Sequence, residues 1–193
     1  MINTSEVMNM LEQIQDSINK NPYLEKDIKV ELFKLIVIFN NKFPNIKLDT
    51  FNKLVSTVKV GRISKYESRG TSIYDVNTNE ILFSPNRLQQ NYDVDNLFMQ
   101  AVLGMITASE YNDRKFTGFD TDESLTHLNR AYTEIVADYL IGSGEVSDLE
   151  EEKIFTNQIG ILIDEDTLFD AYFNNDGNKI LFAITELCVN AED

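Results

Sequence analysis

The sequence lacks what several classes of protein require. Its single cysteine, Cys188, cannot form an internal disulfide, and we interpret it as a small apolar residue packed in the last helix. The longest apolar run, LIVIF at 35–39, is far shorter than the roughly 20 residues of a membrane helix. The first ten residues have neither a basic start nor an apolar segment, so we expect no signal peptide. These absences predict a cytoplasmic protein that has no membrane partner.

Basic residues are scarce in the second part of the chain. Residues 1–109 carry 12 acidic and 12 basic side chains, whereas residues 110–193 carry 20 acidic and 5 basic ones, so the net charge of −15 belongs to the second part. Such a surface repels phosphate backbones, and we therefore expect no nucleic-acid partner. It is compatible with a solvated acidic face, and also with an inhibitor or mimic that occupies a basic surface of another protein.

The order of the predicted elements, helices followed by a small sheet and then more helices, indicates an α+β fold. We expect a single domain, because the 193 residues contain no flexible linker and no repeat. We divide the chain into N-terminal helices in 1–57, a core with a small sheet in 58–145, and C-terminal helices in 146–193. Alternating apolar residues around NTN at 77–79 predict a small antiparallel sheet with a hairpin. Apolar spacing of three and four residues predicts helices at 4–19, 25–43, 49–58, 86–90, 93–109, 124–141, 148–163, 166–174 and 178–190.

The predicted helix 93–109 contains an unusual glycine. Its apolar stripe is wide, so we expect it to pack on more than one side. Gln100 and Gly104 lie one turn apart on the edge of this stripe, with Ala101 beside them. A glycine inside a helix costs about 1 kcal/mol relative to alanine. Gly104 therefore indicates either the close approach of another backbone or a position where a larger side chain was dispensable.

Two carboxylates stand out in the predicted helix 124–141. Glu134 and Asp138 lie one turn apart on one face of a segment that should be largely buried. Buried carboxylates are costly unless they are paired or hydrogen bonded. These two residues therefore either face solvent or belong to a polar site.

The two helices and the strand before them resemble a known family. The strand EILFS leads into the helix that holds QAVLG at 100–104, and the later helix carries L-N-x-x-x-T-E-x-x-x-D. This layout, over residues 70–145, is similar to that of the gluzincin-type zincin metallopeptidases. LNRAYTE also resembles the L-N-E-G-x-T-E stretch of small bacterial members, with Arg130 and Ala131 replacing Glu and Gly. The resemblance implies a mainly helical α+β fold whose small sheet packs on a central pair of helices.

In that family the central helix bears H-E-x-x-H, in which two histidines hold Zn²⁺ and the glutamate is the general base. The resemblance places Gln100 at the first histidine, Ala101 at the base and Gly104 at the second histidine. It places Glu134 at the third zinc ligand and Asp138 at the acid that orients a histidine of the second coordination shell.

The departures from the family pattern imply lost chemistry. The chain has a single histidine, His127, so one chain cannot supply two imidazole ligands. Gln100 is a poor zinc ligand, Ala101 cannot move a proton, and Gly104 has no side chain. We therefore predict a catalytically inactive zincin-like protein with no metal, no cofactor and no catalytic residue, which acts by binding another protein.

Two alternatives have their own motivation. One is a hydrolase that uses Glu134, Asp138 and the acidic loop 108–124 around Mg²⁺ or Mn²⁺, because carboxylates suit these ions. The other is the acidic inhibitor or mimic, unrelated to peptidases.

Other conspicuous residues have ordinary interpretations. We interpret His127 as structural or exposed, Asp176-Gly177 as a turn between two helices, and Phe169, Tyr172 and Phe173 as packing residues.

Overall fold

The computed structural model describes residues 4–62, 73–83, 94–142 and 149–190. Helices dominate, and two small sheets accompany them, which confirms the α+β prediction. The helices in these ranges are α1 Thr4–Lys20, α2 Lys26–Lys42, α3 Asp49–Val55, α4 Val94–Ile106, α5 Thr126–Ile141, α6 Glu150–Ile163, α7 Glu165–Phe173 and α8 Gly177–Asn190. The strands are β1 Lys59–Arg62, β2 Tyr74–Asp75, β3 Glu80–Phe83, β4 Ala108–Tyr111 and β5 Arg114–Thr117.

Most predicted helices agree with the structure to within two residues. The exceptions are α3, which ends at Val55 rather than near residue 58, and α4, which ends at Ile106 rather than at residue 109. After α3, residues 56–57 form a turn before β1 begins at Lys59, and after α4 the strand β4 begins at Ala108. The short helix predicted at 86–90 lies outside the described residues.

The first sheet is mixed rather than antiparallel throughout. Strand β3 lies in the centre, between β1 and β2. Its antiparallel pairing with β2 closes over a turn at 76–79, which confirms the predicted hairpin. Its pairing with β1 is parallel, with Lys59 opposite Glu80. The antiparallel prediction was wrong for this pair, because alternation of apolar residues does not encode the direction of a neighbour that no hairpin connects.

A second hairpin, β4–β5, forms in the segment that the sequence analysis treated as an irregular loop. Tyr111 pairs with Arg114, so only Asn112 and Asp113 form the turn. Their φ angles are 50° and 61°, the left-handed values that a two-residue hairpin turn requires and that Asn and Asp tolerate best after glycine. The Asn-Asp pair between two short alternating runs was the signal for this hairpin.

Helix α4 occupies the centre of the fold. Between Asn96 and Ile106 every residue is buried except Gln100, as the wide apolar stripe predicted. The helix packs against α2, α3, α5 and β2. None of the helices in the described part of the chain has both the length and the apolar character needed to span a membrane.

The turn between α7 and α8 attaches the C-terminal helices to this centre. Asn175, in the left-handed conformation, donates hydrogen bonds from Nδ2 to the carbonyl oxygens of Thr107 at 2.7 Å and Gly118 at 2.8 Å. A turn joins α7 and α8 as predicted, but it occupies residues 174–176 and not Asp176-Gly177, because Gly177 is already the first residue of α8. The predicted aromatic packing is also confirmed, since Tyr172 is fully buried and its ring lies 5.0 Å from that of Phe173.

The outward face of α8 differs from expectation. Cys188 is exposed, so its interpretation as a packed apolar residue was wrong. Phe182 and Val189 on the same helix are also exposed, at 72% and 61%. Because α8 carries apolar residues on its solvent side as well as on its core side, their spacing could not show which face is buried.

Candidate functional site

Five polar side chains from three helices meet beside the central helix, and we call them the Lys153 cluster. Helix α4 contributes Asn96 and Gln100, α5 contributes Glu134 and Asp138, and α6 contributes Lys153. Three of the residues predicted from the sequence, Gln100, Glu134 and Asp138, are therefore brought together. Their contacts run through Asn96 and Lys153.

The two amides join α4 to the end of α5. Gln100 Nε2 donates to Asn96 Oδ1 at 2.9 Å, which is a contact across one helical turn. Asn96 Nδ2 then donates to Asp138 Oδ1 at 2.8 Å and to the carbonyl oxygen of Gly142 at 3.2 Å. Asn96 is 5% exposed, so these bonds satisfy an amide that would otherwise be costly to bury.

The two carboxylates share one ammonium group. Lys153 Nζ lies 2.6 Å from Asp138 Oδ2 and 3.4 Å from Glu134 Oε1, and a more exposed carboxylate, Glu150, is 3.8 Å away. The side chains of Lys153, Glu134 and Asp138 are only 16%, 12% and 17% exposed. The carboxylates are therefore neither solvent-facing nor open to a substrate, but are held in a largely buried ion-pair network.

The electrostatics keep Lys153 charged. Burial by itself lowers the pKa of the Lys153 ammonium. The hydrogen bond to Asp138 and the negative charges of Glu134 and Asp138 outweigh that effect, so this pKa lies above its ordinary value. Without this cation, two carboxylates one helical turn apart would repel each other in a poorly solvated place.

Ala101 and Gly104 belong to the apolar side of α4. Ala101 is fully buried in the core. A Cβ atom on Gly104 would lie 3.0 Å from Cδ1 and 3.1 Å from Cβ of Tyr74, so the glycine permits the close approach of β2. The Tyr74 hydroxyl in turn donates to Asn79 Oδ1 at 2.8 Å. Gly104 thus makes room for a tight helix–sheet contact, and a larger residue there would require Tyr74 to shift by a few tenths of an ångström.

Asn96 and Lys153 were missed by the sequence analysis. Asn96 had a signal, because it is a polar residue one turn before Gln100 within an apolar helix. Lys153 had another: it is the only basic residue between 131 and 178, a stretch with 12 acidic ones. Neither signal identifies a partner, because the contacts cross between helices.

The acidic loop pairs with a different cation. Arg114 lies 3.7 Å from Asp120 and 3.4 Å from Glu123, while Asp122 accepts hydrogen bonds from Ser124. The carboxylates of the loop and those of α5 are thus neutralised separately. No three His, Cys, Asp or Glu side chains are placed to hold a metal ion within the described ranges.

The single histidine lies away from this network. His127 is in the first turn of α5, with its side chain exposed, in keeping with its interpretation as a structural or exposed residue.

No protein-family model, curated protein or solved structure matches this chain.

Proposed function

We propose that this chain is a catalytically inactive zincin-like protein that acts in the cytoplasm by binding another protein. The observation that carries the proposal is the position of Lys153 Nζ between Glu134 and Asp138. By the resemblance, these carboxylates occupy the positions of the third zinc ligand and of the second-shell acid. An internal ammonium group satisfies both of them, in place of an external cation.

The remaining positions of the resemblance support the same proposal. The amide of Gln100 is hydrogen bonded to Asn96, Ala101 has no group that can transfer a proton, and Tyr74 covers Gly104. His127 is exposed at the start of α5 and does not join the cluster. The side chains present therefore do not fit a zinc ion, and we derive no hydrolytic step from them.

Protein binding is supported by apolar side chains on the outer faces of the C-terminal helices. Large exposed apolar areas on a folded protein commonly mark interaction surfaces. Those on α6 and α8 that are more than two-fifths exposed are Ile154, Phe155, Ile161, Leu162, Leu181, Phe182, Leu187 and Val189. We take these helices as part of the surface available to a partner.

We expect the purified protein to show no zinc-dependent peptidase activity. The assay is hydrolysis of fluorescein-labelled casein with and without added Zn²⁺, with Glu134→Gln as the matched control because it removes one negative charge and preserves side-chain size. The wild type and the control should be indistinguishable from the buffer blank. Hydrolysis that needs zinc and disappears in Glu134→Gln would overturn the proposal.

A further inference from the structure

A groove with aromatic walls runs between α5 and α7, and we call it the aromatic groove. Its volume is about 440 Å³, within the range of roughly 300–1,000 Å³ typical of binding pockets. Its lining includes the aromatic residues Phe43, Tyr132, Tyr139 and Phe169 and the acidic residues Glu165 and Asp166. A smaller depression of about 170 Å³ shares Tyr132, Ile135 and Glu165 with it and reaches α6.

The walls of the groove offer aromatic and aliphatic surface to a partner. Phe43 stacks on Tyr139 with ring centroids 6.2 Å apart, and it also contacts Phe169 at 5.3 Å. Tyr139 is 60% exposed, and Ile135 and Phe169 are partly exposed. A preformed aromatic wall of this kind loses little conformational freedom when a side chain packs on it.

Two carboxylates give the groove its charge. Glu165 and Asp166 are exposed, and neither forms an ion pair with any residue in the described part of the chain. Asp170, on the same helix, differs because it pairs with Lys179 at 2.9 Å. Acidic residues also suit the first turn of α7, but this local role leaves their charge available to a ligand.

The field of these carboxylates reaches the floor of the groove. Burial raises the pKa of the Tyr132 hydroxyl, the neighbouring Tyr172 raises it further, and the charges of Glu165 and Asp166 add to that rise. A field that disfavours a phenolate favours a cation at the same place. The Tyr139 ring already contacts a cation from this chain, because Lys42 Nζ lies 4.6 Å from the ring centroid.

We infer that the aromatic groove binds a segment of a partner protein in which a lysine or arginine lies next to an apolar side chain. This inference rests on the proposed function and specifies the partner's chemistry. The apolar side chain would pack on Tyr139 and Phe169, and the cation would lie close to the carboxylates of Glu165 and Asp166, which line the same groove. A second copy of this chain fits less well, because it brings another net charge of −15.

The test uses a nonapeptide amide that alternates arginine with phenylalanine and leucine and carries fluorescein at its N-terminus, with binding followed by fluorescence anisotropy at low salt. We expect saturable 1:1 binding by the wild type. The isosteric pair Glu165→Gln/Asp166→Asn should weaken it about fivefold to tenfold, and Tyr139→Ala by a similar factor. The control Glu12→Gln/Glu110→Gln removes the same charge from exposed positions elsewhere and should change affinity by less than about twofold.

Two further peptides test separately whether binding needs the cationic and the apolar side chains of the ligand. Replacing the arginines by glutamate, or the phenylalanine and leucine residues by serine, should abolish binding. Equal weakening by the groove pair and the control pair would overturn the inference in favour of diffuse attraction to an acidic surface. No binding by the wild type would also overturn it.

A second copy of this chain is the other occupant of the groove that must be tested for, and the oligomeric state distinguishes it from a partner protein. Light scattering during gel filtration should show the same mass for the wild type and the groove variants. A dimer that the groove variants dissociate would overturn the inference, because a second copy would then occupy the groove. None of these outcomes depends on zinc or hydrolysis, so failure of the groove and failure of the proposed function are distinguishable.

Discussion

Replacing Lys153 by methionine is expected to lower the free energy of unfolding by about 2 kcal/mol. The change leaves Glu134 and Asp138, which are 12% and 17% exposed, without the ammonium group that they share. Removing one partner of a buried ion pair costs about 3–5 kcal/mol, and we expect less here because the cluster keeps some contact with solvent. Urea denaturation at pH 7 measures the effect.

Lys34→Met is the matched control for this experiment. Lys34 also contacts two carboxylates, Glu31 at 3.1 Å and Asp95 at 2.7 Å, but its side chain is 49% exposed. Solvent screens such a pair, so this variant should be affected much less than Lys153→Met. Equal losses in the two variants would show that burial of the Lys153 cluster has no energetic consequence and would contradict our description.

The loss in Lys153→Met should also depend on pH in a definite direction. The pKa of Lys153 is raised above the ordinary lysine value of 10.5, because its carboxylate contacts outweigh burial. The stability that this shift contributes is fully present below pH 10.5 and is lost as the pH rises through the folded-state pKa. The difference between the wild type and Lys153→Met should therefore be constant from pH 7 to about pH 10 and shrink above that.

Gly118→Ala is expected to destabilise the protein by about 4 kcal/mol, the largest effect that we predict. Gly118 has φ of +56°, where alanine is strained, and an added Cβ would overlap Asn129 Oδ1 and lie 2.6 Å from the buried Tyr172 ring. Asn129 Oδ1 cannot move freely, because it accepts a hydrogen bond from the backbone nitrogen of Phe119. Strain of about 1–3 kcal/mol and overpacking of about 1–3 kcal/mol combine here.

Gly160→Ala provides the control for Gly118→Ala. A Cβ on Gly160 would lie 3.6 Å from the Leu168 side chain, an ordinary contact, within helix α6. Because alanine favours the helix, this variant should gain up to about 1 kcal/mol. Thermal unfolding shows whether each variant has a lower or a higher melting temperature than the wild type. If Gly118→Ala unfolds at the wild-type temperature, the packing that we describe around the β4–β5 hairpin is wrong.

The sequence predicted local structure well because amphipathic spacing reports directly on the buried face of a helix. It also identified Glu134 and Asp138, since two carboxylates on a buried helical face require compensation. It could not identify Lys153 or Asn96 as their partners, because these contacts depend on how α4 and α6 pack against α5. The parallel pairing of β1 with β3 was missed for the same reason: strand direction there is set by tertiary contacts.

The resemblance to gluzincin metallopeptidases stays a prediction. The structure adds a physical reason for expecting no chemistry at these positions: the carboxylates on α5 are held by Lys153, and Gly104 serves packing against Tyr74. The close approach at Gly104 comes from the Tyr74 side chain, and not from another backbone as the first of the two sequence-based explanations had it. A lost histidine is therefore not needed to explain the glycine.

Titration of Zn²⁺ into the wild-type protein by calorimetry tests the central claim most directly. Our account predicts no 1:1 binding at micromolar concentrations, because an ammonium group already satisfies Glu134 and Asp138, and it predicts the same trace for Glu134→Gln. A 1:1 zinc complex with a dissociation constant below about 1 µM, lost in Glu134→Gln, would contradict it.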